Sequence, residues 1–135
     1  MFRREILTVA RNNDLYDAFK RVISDMDHIV LDEALTLTVN SPAKRFYISA
    51  DRAYGVIVRW DKYGKTRLLS DERQEMYDEL YRIIVRLREI RPELPLQHLI
   101  EIAIDQPAPK FYLKTNSAKI ILCNFKRAKS LLARL

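Results

Sequence analysis

Arg52 and Arg59 lie seven residues apart in a stretch of helical character, and Lys119 and Lys126 lie seven apart in another. That spacing brings each pair onto one helical face, two turns apart. Cations placed this way can neutralise phosphates and release their counterions, which supplies most of the non-specific affinity of a protein for nucleic acid. Lys44, Arg45, Lys110 and Lys114 fall in the short segments before these stretches, where they could hold a phosphate backbone while Arg52, Arg59, Lys119 and Lys126 meet phosphates or base edges. Gly55 lies between Arg52 and Arg59 on the same face. A glycine inside a helix costs about 0.5–1 kcal/mol relative to alanine, and one reading of it is that another backbone or a nucleic-acid strand comes close there.

The charge is distributed unevenly. The chain carries a formal net charge of +6 with a pI near 9.5. Residues 1–60 hold nine basic and eight acidic side chains, and residues 61–135 hold fifteen and ten. No acidic residue occurs from Gln106 to Leu135, and residues 41–60 set Lys44, Arg45, Arg52 and Arg59 against Asp51 alone. The plainer reading is a solvated basic face; its recurrence at two places in the chain favours a polyanionic partner.

Other chemistries find little support. His28 and His98 are the only histidines and Cys123 the only cysteine, so no metal-ligand spacing is present. There is no glycine-rich phosphate loop, no Gly-x-Ser-x-Gly and no His-Glu-x-x-His. These absences predict a protein without enzymatic activity, metal or cofactor. Cys123, within Ile120-Ile121-Leu122-Cys123, reads as a buried, inert thiol that can form no intramolecular disulfide, which suits a reducing compartment. Ile6–Ala10 is too short for a signal peptide and is cut by Arg11-Asn12-Asn13; no run of about 18 apolar residues predicts a membrane span.

The elements that must position the cations come in two copies. Pro-Ala-Lys-Arg-Phe-Tyr at 42–47 returns as Pro-Ala-Pro-Lys-Phe-Tyr at 107–112. Leu15-Tyr16-Asp17 matches Met76-Tyr77-Asp78, Arg21-Val22-Ile23 matches Arg82-Ile83-Ile84, Leu31 matches Leu96, Ala53 matches Ala118, and Val56-Ile57 matches Ile121-Leu122. The offset drifts from 61 to 65, which places the extra residues near Pro92–Pro95. Such internal similarity marks one structural unit used twice.

Helical spacing and caps give the elements of each unit. Asn12-Asn13-Asp14 reads as the start of a first helix carrying Leu15, Phe19, Val22, Ile23 and Met26. A second spans about 31–40, although Thr36-Leu37-Thr38-Val39 also fits a strand, and Pro42 ends it. Ser49 caps a third, with Ala50, Ala53, Ile57 and Trp60 inward. Residues 61–69 read as a connector. Ser70 caps the next helix, which runs to about Arg91; another spans about 96–105, and a last one begins near Asn116. Phe46 and Phe111 alternate with Tyr47 and Tyr112, so one member of each pair should anchor the core while the other packs on a helix or contacts a ligand.

The predicted fold is all-α: two tandem three-helix units, 1–60 and 70–135, each resembling a helix-turn-helix with an extended turn, the second ending in a basic helix. In helix-turn-helix proteins the last helix enters the major groove.

The phrase Pro-Ala-Pro-Lys-Phe-Tyr-Leu, followed by a helix with an early alanine, resembles a motif of small uncharacterised proteins of gut-bacterial prophages and mobile elements. The resemblance covers about residues 96–125 and again 31–60, with Lys44 where the second copy has Pro109. It implies a phage or mobile-element setting, in the bacterial cytoplasm or packaged in a virion, and carries over no site residues. Together these readings predict a nucleic-acid-binding protein, with double-stranded DNA as partner. The alternative is a non-enzymatic phage structural or packaged protein, or an adaptor docking a phage or host protein, in either case able to form homo-oligomers.

Overall fold

A computed structural model describes residues 3–68 and 70–125. Six helices occur among them: α1 Arg3–Ser24, α2 Leu31–Val39, α3 Ala50–Tyr63, α4 Asp71–Ile90, α5 Leu96–Ile104 and α6 Thr115–Asn124. The described residues contain no strand, so the strand alternative for 36–39 gives way to helix. Two serines start helices as their hydroxyls allow. Ser49 accepts from the Arg52 N–H at 3.3 Å and Ser70 from the Arg73 N–H at 3.2 Å. At the other termini, Pro42 and Pro107 follow the ends of α2 and α5, as their ring geometry requires.

One boundary differs from the sequence-based expectation. Asn12, Asn13 and Asp14 lie in the middle of α1, not at its start. The Asn12 Oδ1 accepts from the Arg11 guanidinium at 3.0 and 3.2 Å, and so is not spent on a backbone cap. Asp14 is buried at 2% exposure next to Leu15 at 0%, so tertiary burial holds this turn in the helix despite its cap-forming residues.

The helices fall into two compact units, but the units are not sequential. One comprises the chain up to Ala43 together with the chain from Ala108 onward; the other is Lys44–Pro107. In the first, α1 packs on α2, and α6 packs on both. In the second, α5 packs on α3 and on α4. The third helix of each repeat is thus seated against the second helix of the other repeat. The expected grouping, 1–60 and 70–135, therefore differs from the grouping that packing produces, and α2 with α3 does not form a helix-turn-helix inside one unit.

The physical reason lies in the Pro-Ala segments. Ala43 and Ala108 exchange both backbone hydrogen bonds, at 2.9 and 3.0 Å, as an antiparallel bridge. The Phe111 N–H donates to the Val39 carbonyl at 3.0 Å in the first unit, and the Phe46 N–H donates to the Ile104 carbonyl at 3.0 Å in the second. These are the same bond made twice, at an offset of 65. Each joins the turn of one repeat to the end of the second helix of the other. Both alanines are buried, at 3% and 1%, and a small side chain suits that bridge. Phe46 and Phe111 are buried at 1% and 5%, so the phenylalanine of each Phe-Tyr pair is the core anchor.

Aromatic pairs repeat the exchange. Tyr16 of α1 stacks on Phe125, which follows α6, at 5.4 Å between ring centroids. Tyr77 of α4 meets Trp60 of α3 edge-on at 6.1 Å. Tyr16 and Tyr77 are equivalent at offset 61, and Trp60 and Phe125 at offset 65. In each unit, then, the first helix of one repeat packs an aromatic ring against the end of the third helix of the other.

Candidate nucleic-acid interface

The unit Lys44–Pro107 holds four of the predicted contacts. Arg52 and Arg59 are exposed on α3 and meet no carboxylate among the described residues. The Arg59 Nε donates to the Gly55 carbonyl one turn back, at 3.2 Å, which leans the side chain along the helix. Gly55 itself is exposed, and a Cβ built on it would meet nothing within 4 Å. No packing among the described residues therefore requires glycine there.

Arg45 is spent within the fold. It is half-buried; its Nε donates to the Phe46 carbonyl at 3.0 Å, its Nη2 to the Ile48 carbonyl at 3.4 Å, and its Nη1 lies 3.7 Å from Asp105. Its role is to hold the turn, which leaves little of the guanidinium for a phosphate. Lys44 is exposed in the same turn.

The other unit holds Lys110, Lys114 and Lys119; Lys126 lies outside the described residues. Lys110 sits over the Tyr112 ring at 5.7 Å, as Arg45 sits over Tyr47 at 6.0 Å, so both copies place a cation on the tyrosine two residues later. Tyr47 and Tyr112 are accordingly half-buried and packed under cations. Tyr112 also takes a positive φ of 57°, a conformation that costs a side-chain-bearing residue energy. Lys114 is the N-cap residue of α6 and makes no side-chain cap; Lys119 is exposed on that helix. Cys123 is half-buried on the same helix, more open than its apolar neighbours suggest.

Arg73 bears on the same buried tyrosine as Arg52 and Arg59. Tyr77, buried at 3% exposure in α4, has its phenol pushed above the usual range by burial and drawn partly back by the positive charges of Arg73, Arg52 and Arg59. Arg73 stands in the first turn of α4, where it reads as an ordinary surface residue. The signal that could have found it is its spacing, because Arg73 stands one helical turn before Tyr77.

Several other charges are paired within the fold. Asp61 at the end of α3 receives the Tyr81 hydroxyl at 2.8 Å and both terminal nitrogens of Arg88, from α4. Burial raises the Asp61 pKa, but the hydrogen bonds from Arg88 and Tyr81 outweigh it and leave the carboxyl below its ordinary value. Lys65 pairs with Asp78 at 3.2 Å and lies over the rings of Trp60 and Tyr81. An open hollow of about 370 Å³ beside α1 is lined by Asp17, Lys20, Arg21 and Ser24. Its Lys20 is engaged with Asp17 at 3.4 Å and with the Tyr16 ring. Among the described residues no cluster of His, Cys, Asp and Glu has the makings of a metal site, and no helix is long and apolar enough to cross a membrane.

No family model, curated protein or solved structure matches the chain.

Proposed function

We propose that this chain binds nucleic acid, double-stranded DNA foremost, through the basic turn and third helix of each repeat. The observation that carries this reading is the state of Arg52 and Arg59: two exposed guanidinia on one face of α3, seven residues apart, with no carboxylate partner among the described residues. Lys114 and Lys119 supply the corresponding cations at α6. Guanidinium forks match phosphate oxygens in pairs, so such a face suits a phosphate backbone. The Pro-Ala-Pro-Lys-Phe-Tyr-Leu resemblance adds a phage or mobile-element setting, in the host cytoplasm or in a particle.

A second reading is favoured by a different observation. Ile6 and Val9, three residues apart on α1, are 52% and 49% exposed, and Leu37 on α2 is 54% exposed. Apolar side chains left in water on the first unit suit a protein partner, as an adaptor or a particle component would require.

The deciding experiment is fluorescence anisotropy with a random duplex of about 30 base pairs over a salt series. Binding whose logarithm falls steeply with the logarithm of salt concentration supports the nucleic-acid reading; no binding at low salt moves the adaptor reading to first place.

A further inference from the structure

The described part of the first unit ends at Phe125, whose ring stacks on Tyr16 of α1 at 5.4 Å between centroids. Val9 stands seven residues before Tyr16, and Ile6 three before Val9, so the two follow one another along the side of α1 that Tyr16 occupies. They are 49% and 52% exposed. Both belong to a stretch that α4 lacks. At offset 61 the first residue of α4, Asp71, corresponds to Ala10, whereas α1 begins at Arg3. The first unit therefore extends its first helix by about two turns and leaves apolar side chains open on the extension.

The other unit shows where the chain goes after the corresponding ring. Beyond Trp60, the counterpart of Phe125, residues 61–68 lie along α4. Asp61 receives the Tyr81 hydroxyl at 2.8 Å, and Lys65 meets Asp78 at 3.2 Å while lying over the rings of Trp60 and Tyr81. Further on, Arg67 meets Asp71 at 2.5 Å and the Leu68 N–H donates to the Gln74 side chain at 2.8 Å. The contacts thus move toward the start of α4 as the chain advances. The same course in the first unit passes the hollow at Asp17, Lys20, Arg21 and Ser24, since Asp17 and Lys20 are the counterparts of Asp78 and Tyr81. It then arrives at Val9 and Ile6. In the second unit this course ends in the covalent link to α4; in the first there is no such link, so only side chains can hold a segment there.

Residues 126–135, which lie outside the described residues, carry suitable ones. Ala128, Leu131, Leu132 and Leu135 recur at the spacing of a single helical face, among Lys126, Arg127, Lys129 and Arg134. We propose that this segment docks back along α1 and covers Ile6 and Val9 with its leucines, so that the apolar face at the start of α1 is closed by the chain itself. The reach is sufficient. Tyr16 and Ile6 are about 15 Å apart along the helix axis, and the segment spans about 15 Å if wound as a helix and about 33 Å if extended. The inference is independent of the nucleic-acid reading, and it takes Ile6 and Val9 out of the surface offered to a protein partner.

Thiol cross-linking in the full chain tests it, with C123S present so that only introduced thiols can pair. V9C/L135C is compared with L37C/L135C, whose first position is an exposed apolar residue on α2 of the same unit. Both are oxidised in one glutathione buffer, and cross-linked monomer is read on a non-reducing gel. The expected result is closure of V9C/L135C faster by at least about tenfold, because docking raises the effective concentration of its two thiols. Adding L131S/L132S should return it to the reference rate. A thermal melt checks each variant, and if V9C/L135C melts early, I6C/L135C is read in its place. Equal rates for the two pairs, or a rate untouched by L131S/L132S, would overturn the docking. Cross-linked dimers whose share grows with protein concentration would overturn it in favour of a second copy of the chain on this face.

Discussion

The backbone N–H of Phe111 donates to the carbonyl of Val39 at 3.0 Å, joining the turn of the second repeat to the end of the second helix of the first. Phe46 and Ile104 make the identical bond with the repeats interchanged. These two bonds, with the Ala43–Ala108 bridge, make each unit a composite of both repeats. Neither repeat can complete its own core, because its third helix is used by the other.

The exchange has an energetic signature. If α3 packed within its own repeat, Trp60 would be coupled to Tyr16; in the structure it contacts Tyr77, and Tyr16 contacts Phe125. Double-mutant cycles with leucine replacements should therefore give a coupling of about 0.5–1.5 kcal/mol for Trp60 with Tyr77. The cycle for Trp60 with Tyr16 should be additive within about 0.5 kcal/mol. The reverse pattern, measured by chemical denaturation, would return α3 to its own repeat.

The carboxyl of Asp61 ties the end of α3 to α4 through Tyr81 and Arg88. Its pKa is lowered on folding, so the folded state holds the charged form more tightly than the unfolded chain does. That stability is fully present above the ordinary carboxylate range and is lost as pH falls through the depressed folded value. Asp61→Asn should lower stability at neutral pH by roughly 1 kcal/mol, as a partly exposed pair allows. The difference from wild type should shrink as the pH of a urea titration is taken below about 4. A gap that stays constant to low pH would show that the asparagine acts through geometry and not through charge.

Most elements are legible in the sequence because they rest on local rules. Ser49 and Ser70 read as caps and are caps, and Leu99, Ile100, Ala103 and Ile104 read as a buried face and are buried. The exchange is not legible, and the repeat itself is the reason. Ala53 and Ile57 present the same small-and-branched pattern as Ala118 and Leu122, so a second helix offers either third helix an equivalent seat. Periodicity states which face of a helix is buried, not which of two near-identical partners buries it. The same limit applies to the candidate site. Arg45 reads as a free cation because Asp105, its partner, is far along the chain. Arg52 and Arg59 read as α3 surface alone, because only folding brings their charge to bear on Tyr77 of α4, one helical turn beyond Arg73.

The two third helices also begin differently. Ser49 caps α3 with its hydroxyl, while the equivalent position before α6 is Lys114, which makes no cap and sets a positive charge at the end of the helix dipole that disfavours it. Lys114→Ser should stabilise the fold by about 1 kcal/mol, seen as a higher denaturant midpoint. If Lys114 also holds a phosphate, the same variant should bind duplex more weakly with a salt slope shallower by about 0.9. Greater stability with unchanged binding would remove Lys114 from the interface and leave it as a poor cap only.

Gly55 separates stability from binding most directly. It lies inside α3, and a Cβ there meets nothing within 4 Å. On folding grounds alone Gly55→Ala should stabilise the protein by about 0.5–1 kcal/mol, since it restricts the unfolded chain and adds no clash. On the binding side, a strand passing between Arg52 and Arg59 would meet the new methyl group, so duplex affinity should fall even as the melting temperature rises. A larger residue sharpens the contrast: Gly55→Leu remains compatible with an exposed helix position but should abolish close approach of a backbone. If both variants are more stable and both bind duplex as wild type does, no strand runs over this face of α3, and the cations beside it serve only to solvate the surface.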